Sequence, residues 1–110
     1  IVDSVADGGS FDGGNGFDVL DLSASTLATR TIDLDQATLA IAGGTYANFE
    51  GVIGTTAAES LIGNADANLL GGFDGDDTLV GGAGDDTLAG GAGGDLMSGG
   101  EGSDQYSVDS

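Results

Sequence analysis

Four aspartates spaced nine residues apart are the side chains in this chain best suited to chemistry. They occupy the sixth position of a nonapeptide, Gly-Gly-x-Gly-x-Asp-x-(large apolar)-x, and they are Asp77, Asp86, Asp95 and Asp104. The pattern is complete in residues 81–89, 90–98 and 99–107. Carboxylates and the backbone carbonyls of glycine loops are the oxygen ligands that calcium takes, six to eight at a time. The spacing therefore predicts calcium sites.

The same nine-residue frame continues towards the N-terminus with more substitutions. It passes through Gly72, Gly63 and Gly54, where the sixth positions of the two earliest copies are Asn68 and Glu59. In those two copies Asp66 and Ala57 replace the fourth-position glycine, so we expect their sites to be weaker or empty. One isolated copy, residues 13–21, places Asp18 at the sixth position without a repeat one turn later with which to pair.

Other metals and catalysis fit the composition poorly. The chain has no His and no Cys, so zinc has few suitable ligands, and magnesium requires a tighter octahedron than flexible loops provide. With Arg30 as the single base and no Lys, nucleophile–base pairs lack their parts. Paired acids can hydrolyse glycosides, but here they lie in calcium loops that favour ionisation. We therefore predict that the chain is not an enzyme.

Net charge limits the partners. With 19 acids and a net charge of −18, the chain offers no basic patch for nucleic acid or for an anionic membrane surface. No apolar run approaches the roughly 20 residues of a membrane-spanning helix. Such a charge together with 23 glycines opposes compaction, and the absence of Cys excludes disulfides as a remedy. We expect the chain to fold once cations neutralise the acids.

The elements that must position these carboxylates follow from the period. Six loop residues and three strand residues make each repeat, and two repeats complete an 18-residue turn. The eighth position then forms an apolar column, made of Leu61, Leu70, Leu79, Leu88, Met97 and Tyr106. Loops one turn apart stack, which pairs Asp77 with Asp95 and Asp86 with Asp104 on opposite edges. The expected fold is all-β, a right-handed parallel β-roll with two sheets.

Three segments are expected. Residues 1–53 form a less regular N-terminal β segment that contains the isolated repeat and capping strands near 31–35 and 38–41. Residues 54–107 form a roll of six nonapeptides, and residues 108–110 a tail. The roll has an open edge after Tyr106, so end-to-end self-association is possible at that edge.

The nonapeptides resemble the RTX, or hemolysin-type calcium-binding, family across residues 54–107 and in the single copy at 13–21. The resemblance implies several Ca²⁺ ions held between loops one turn apart by the four aspartates, with Asp18, Asn68 and Glu59 as further candidates. It also implies carbonyl ligands from the loop glycines, which are Gly72, Gly75, Gly81, Gly82, Gly84, Gly90, Gly91, Gly93, Gly99, Gly100 and Gly102.

The family resemblance also implies a function. It suggests a module of a secreted bacterial protein, exported unfolded by a type I system, that folds on extracellular calcium and stabilises the rest of its parent polypeptide. Two alternatives stay open. One is a carbohydrate-binding module, associated with alginate or another polysaccharide, of a secreted enzyme. The other is an extender segment of an adhesin.

Overall fold

The computed structural model describes residues 10–22, 31–34, 39–41 and 44–107, and these contain twelve short strands and no helix. In chain order the strands are β1 Ser10–Asp12, β2 Val19–Asp21, β3 Thr31–Asp33, β4 Leu39–Ile41, β5 Gly44–Ala47, β6 Gly51–Ile53, β7 Ser60–Ile62, β8 Leu69–Gly71, β9 Thr78–Gly82, β10 Thr87–Ala89, β11 Leu96–Gly100 and β12 Gln105–Ser107. No helix in this part of the chain is long and apolar enough to cross a membrane.

Two parallel sheets form the body of the molecule. One has the order β12-β10-β8-β6-β2 and the other β11-β9-β7-β3, so successive strands along the chain alternate between the sheets. Within the array each strand pairs with the strand two repeats away, as Leu61 does with Leu79 and Leu70 with Leu88. This is the expected parallel β-roll, with about 3 turns.

The core is one column of side chains between the sheets. Strands of three residues alternate in burial, and the central residue is inaccessible in Leu20, Val52, Leu70 and Leu88 of one sheet. The other sheet contributes Ile32, Leu61 and Leu79, and Leu22, Leu34 and Phe49 complete the cluster. A single strand of this length buries almost nothing, so stacking is what supplies the hydrophobic stabilisation.

The sheets continue across the predicted segment boundary at residues 53 and 54. Strand β2 of the isolated repeat stacks on β6, with Leu20 opposite Val52, and β3 stacks on β7. Val52 lies nine residues before Leu61, so residues 45–53 form a further unit of the frame in spite of lacking its glycines. Strands β3 and β6 therefore continue the two sheets through a part of the sequence that lacks the motif.

The end of the column differs from the sequence prediction. Met97 is only partly buried and packs against the cluster, and Tyr106 is 53% exposed. Because β11 and β12 are the last strands of their sheets in the described residues, no later strand covers these side chains. Tyr106 instead folds over its own loop, where its hydroxyl accepts a hydrogen bond from the Gly99 N–H at 2.7 Å.

The small third sheet supplies the less regular part of the N-terminal segment. Its order is β1-β5-β4, with β1 parallel and β4 antiparallel to β5. The two predicted capping strands appear as β3 and β4. Residues 35 and 38, Arg30 and the predicted tail at 108–110 lie outside the described residues.

Candidate metal centre

The loops between strands stack along two edges of the roll. The first edge carries loops 13–18, 48–50, 63–68, 81–86 and 99–104, and the second carries loops 54–59, 72–77 and 90–95. Backbone hydrogen bonds fix this stacking, because the residue after each sixth position donates to the sixth-position carbonyl one turn earlier. Examples are Thr87 N–H to Asn68 at 2.8 Å and Leu96 N–H to Asp77 at 2.8 Å.

Stacking brings the sixth-position side chains into a repeated contact. The N–H of Asp77 donates to Oδ1 of Asp95, and the N–H of Asp86 donates to Oδ1 of Asp104, both at 2.9 Å. Glu59 and Asn68 donate in the same way to Oδ1 of Asp77 and of Asp86, both at 2.8 Å. One oxygen of each aspartate is thereby used, and the second oxygen faces the gap between loops.

The second oxygens of Asp77 and Asp86 have no partner. Both Oδ2 atoms are buried and accept no hydrogen bond, and each side chain is only 1% exposed. A buried unpaired carboxylate oxygen is strongly unfavourable, since it loses its hydration without compensation. These two atoms are where a cation would be most stabilising.

Carbonyl oxygens face the same gaps. The Oδ2 atom of Asp77 and the carbonyl of Gly90 both face the α-carbon of Gly72, where an added Cβ would lie 2.6 Å from that carbonyl. At Gly81 the corresponding atoms are Oδ2 of Asp86 and the carbonyl of Gly99, the latter 2.8 Å from an added Cβ. Two acceptors cannot hydrogen-bond to each other, so an oxygen-seeking cation fits this arrangement and a side chain does not.

Acidic side chains alone cannot complete a coordination shell. Nowhere in the described residues do three of them gather into one metal cluster. Carbonyls must therefore supply most of the oxygens. Those of Gly75, Gly82 and Gly84 point towards the α-carbons of Gly93, Gly100 and Gly102 one turn later. The loops that contain Gly91, Gly93, Gly100 and Gly102 are the last on their edges among the described residues.

Loop 54–59 closes on itself instead. The carboxylate of Glu59 is buried, and it accepts hydrogen bonds from the N–H of Thr55 at 2.9 Å and from the Thr55 hydroxyl. Both oxygens of this side chain are thus occupied by donors from its own loop.

Loop 63–68 closes through an amide. The side-chain oxygen of Asn68 accepts from the N–H of Asn64 at 2.8 Å, and its Nδ2 donates to the carbonyl of Glu50 at 3.0 Å. The amide group therefore donates a hydrogen bond to this carbonyl, where a carboxylate would need a cation.

Backbone conformation at the second loop position separates the two kinds of loop. Phe73 and Gly82 have φ values of 78° and 100°, whereas Thr55 and Asn64 do not adopt a positive φ. The N–H groups of Thr55 and Asn64 donate to the sixth-position side chain, and no such donor reaches Oδ2 of Asp77 or Asp86. A left-handed second residue thus leaves the carboxylate free for a cation.

Burial and like charges raise the pKa of the two unpaired carboxylates. Burial raises the pKa of Asp77 to about 6, with smaller contributions from the charges of Glu59, Asp95 and Asp76, against the lowering effect of the Glu59 N–H. Burial also raises the pKa of Asp86, and the charges of Asp104 and Asp85 add to it. Burial thus disfavours the ionised form of both carboxylates, and a bound cation would favour it.

Two further pairs of aspartates lie in these loops. Asp95 and Asp104 are half-buried and accept from the turn before them. Asp76 and Asp85 are exposed and accept from Gly94 N–H at 2.7 Å and Ser103 N–H at 2.8 Å, so they support stacking on the outer side of the loops. Glu50 is the residue that the motif analysis missed. The available signal was its place nine residues before Glu59, in frame with the array.

Comparison with known proteins agrees with this geometry. The family model for the RTX calcium-binding nonapeptide repeat matches residues 53–84 and 71–106, with 4 copies. No curated protein gives a significant match to the chain. Through residues 53–106 the chain therefore belongs to the family of RTX calcium-binding nonapeptide repeats.

Proposed function

We propose that this chain is a secreted calcium-binding module that folds on extracellular calcium and stabilises a larger polypeptide. The observation that carries the proposal is the pair of buried, unpaired Oδ2 atoms of Asp77 and Asp86, each facing a glycine carbonyl from the next turn. In a metal-free protein this arrangement is unfavourable, and calcium removes the penalty.

Two sites follow from the contacts. Asp77 and the carbonyl of Gly90 hold one ion on the second edge, with Asp95 contributing from the later turn. Asp86 and the carbonyl of Gly99 hold the other on the first edge, with Asp104 in the equivalent role. Calcium supplies positive charge between stacked carboxylates, and Glu59 and Asn68 need none because protein donors already satisfy them.

Coupling of binding to folding follows from the charge and the thin core. A net charge of −18 opposes compaction, and the buried side chains form a single column. When the site exists only in the folded state, the free energy of metal binding stabilises folding. Loops with extracellular-type dissociation constants, roughly 10⁻⁴ to 10⁻³ M, stay unfilled at cytosolic calcium levels. This supports a switch that operates after export.

The module has a structural role in this proposal and no catalytic one. The chain has no His, Cys or Lys to form a nucleophile–base pair. The sixth-position aspartates lie in loops where each is engaged in stacking or faces a proposed ion.

Circular dichroism of the calcium-stripped chain, recorded during titration with calcium and separately with magnesium, tests the proposal. We expect a cooperative transition to β structure near millimolar calcium that magnesium does not produce. Asp86→Ala should raise the calcium midpoint much more than Asp76→Ala, because only Asp86 faces a gap. A full β spectrum without calcium, or equal midpoints for the two variants, would contradict the proposal.

A further inference from the structure

We propose a third calcium site outside the family-matched segment, between loops 13–18 and 48–50, held by Asp18, Glu50 and the carbonyl of Asn48. The inference rests on the proposed function, because it assigns the same chemistry to a new place. Neither Asn48 nor Glu50 belongs to a recognisable nonapeptide. The site joins two loops separated by a 32-residue excursion of the chain rather than by one 18-residue turn.

The first support is the shared hydrogen-bond pattern. The N–H of Asp18 donates to Oε2 of Glu50 at 3.0 Å, just as the N–H of Asp77 donates to Oδ1 of Asp95 at 2.9 Å. The N–H groups of Glu50 and Gly51 both donate to the carbonyl of Asp18 at 3.0 Å. Glu50 thus takes the place of the sixth-position aspartate one turn later.

The second support is an unpaired buried oxygen. Among the described residues, three side-chain oxygens are buried without a hydrogen-bond partner, and they are the Oδ2 atoms of Asp18, Asp77 and Asp86. The last two define the sites already proposed. Each of the three aspartates also has an acidic residue bound to its N–H from the next loop. Asp18 therefore meets the criterion that distinguishes the cation loops from the self-closed loops of Glu59 and Asn68.

The third support is a carbonyl facing the same space. A Cβ added to Gly13 would contact the carbonyl of Asn48 and would lie 3.1 Å from Oδ2 of Asp18. The carbonyl of Gly90 stands in the same relation to Gly72 and Asp77. Glycine carbonyls also face Gly54 and Gly63 in the self-closed loops, so the unpaired oxygen of Asp18 is what distinguishes this space from theirs. An oxygen-seeking cation can occupy this space between a carboxylate and a carbonyl, and a side chain on Gly13 would obstruct it.

Asp12 positions the carbonyl that completes the site. Its Oδ1 atom accepts hydrogen bonds from Nδ2 of Asn48 at 2.6 Å and from the N–H of Gly14 at 2.9 Å. Asn48 has a φ of 60°, a left-handed conformation that asparagine tolerates better than most residues. These two hydrogen bonds fix Asp12 as an acceptor beside the site. Asp12 is a positioning residue, and the cation contacts Asp18.

The third site is separate from the array. Between Glu50 and Asp86 on the first edge lies loop 63–68, where Asn68 bridges to the Glu50 carbonyl without a cation. An ion at Asp18 therefore secures the return of the chain from the excursion onto β6, while the other two ions secure the C-terminal turns. We expect its removal to leave the two array sites in place.

The test is the number of calcium ions bound by the full chain at saturation, measured by equilibrium dialysis. We expect three ions for the unmodified chain, two for Asp18→Asn and two for Glu50→Gln. Asp66→Asn, which removes an exposed carboxylate from a self-closed loop, is the matched control and should retain three. Glu50→Gln keeps an acceptor for the Asp18 N–H, so it decides the matter if Asp18→Asn fails to fold.

The outcomes separate this proposal from the general one. Two ions in the unmodified chain, or three ions retained by Glu50→Gln, would overturn the third site and leave calcium binding by the array intact. No bound calcium in any of these proteins would overturn the proposed function itself. A loss of one ion in Glu50→Gln but none in Asp66→Asn would establish the site.

Discussion

Two equivalent carboxylates on the second edge of the roll have opposite environments. Glu59 is satisfied by the N–H and hydroxyl of Thr55, whereas Oδ2 of Asp77, one turn later, has no donor. The difference originates at the second loop position, where Thr55 keeps its N–H turned inward and Phe73 adopts a φ of 78°. One backbone torsion thus decides whether a loop closes through hydrogen bonds or through a cation.

The left-handed conformation of Phe73 should destabilise the folded chain. A left-handed conformation costs a non-glycine residue about 1–2 kcal/mol, and glycine adopts it freely. We therefore expect Phe73→Gly to lower the calcium midpoint of folding, since the side chain is 42% exposed and loses little packing. Calcium titration followed by circular dichroism measures the shift.

Phe17→Gly is the matched control for that change, because Phe17 is also exposed, at 57%, but has no positive φ to relieve. An unchanged or higher midpoint for Phe73→Gly would show that Phe73 is not a source of strain.

Calcium binding should weaken in acid. Burial raises the pKa of Asp77 to about 6 from 3.8, so in the metal-free state the folded chain binds this proton more tightly than the unfolded chain. The metal-free fold is consequently most favoured below pH 3.8 and loses that contribution as pH rises through 6. Calcium that binds the folded chain must displace this proton, so calcium binding at this site should weaken by about tenfold for each pH unit below 6.

Titrations at pH 5, 6 and 7.5 check this dependence. Asp77→Asn removes the titrating group and should flatten the pH profile at this site. A midpoint that is the same at pH 5 and 7.5 in the unmodified chain would contradict a protonated Asp77.

At the scale of strands and loops, the roll combines two ways of joining its turns. On the first edge the amide of Asn68 joins loop 63–68 to the carbonyl of Glu50 without a cation. One turn later, Asp86 and Asp104 need a cation between them. The middle turns therefore depend less on bound metal than the neighbouring turns do. The strands are the same in both places, so the loops set the metal dependence.

Replacing the amide should transfer metal dependence to the middle of the roll. Asn68→Asp places a carboxylate oxygen against the Glu50 carbonyl and leaves a buried acceptor unpaired, which costs about 1–3 kcal/mol. Calcium titration followed by circular dichroism should show this loss as a higher calcium midpoint of folding. In saturating calcium the loss should be smaller, because an ion can occupy the new gap.

The control is Asp66→Asn in the same loop, whose exposed side chain should change stability by less than about 0.5 kcal/mol. Equal calcium midpoints of folding for Asn68→Asp and the unmodified chain would show that the amide bridge contributes nothing.

For the whole molecule, one apolar column ties the two sheets together. It runs without interruption from Leu20 to Leu88 and weakens at Met97 and Tyr106, where the described roll ends. Every turn of the roll depends on its neighbours because each strand is only three to five residues long. Stability is consequently a property of the stack rather than of any turn.

Leu79 tests that dependence. It is completely buried in β9, between β7 and β11, and Leu79→Ala should cost about 2–5 kcal/mol in the free energy of unfolding. Urea unfolding in saturating calcium provides the measurement. Leu96→Ala, at a leucine that is 68% exposed in the adjacent strand, should have little effect. Comparable losses in the two variants would contradict the conclusion that packing within the apolar column stabilises the fold.

The sequence by itself determined the period, and the period determined most of the array. Spacing by nine places Leu61, Leu70, Leu79 and Leu88 in one column, and it predicts that Asp77 meets Asp95 and Asp86 meets Asp104. These are consequences of regular stacking, in which every turn repeats the register of the last. Family membership of residues 53–106 could be recognised for the same reason.

Only the tertiary structure decided which loops lack donors and which loop faces Asp18. The closure at Glu59 and Asn68 depends on backbone torsions that a motif does not specify. The contact between Asp18 and Glu50 closes a 32-residue excursion, and a periodic pattern carries no information about where an aperiodic segment returns. Local spacing sets contacts between regular repeats, whereas contacts across an irregular segment arise only when the whole chain packs.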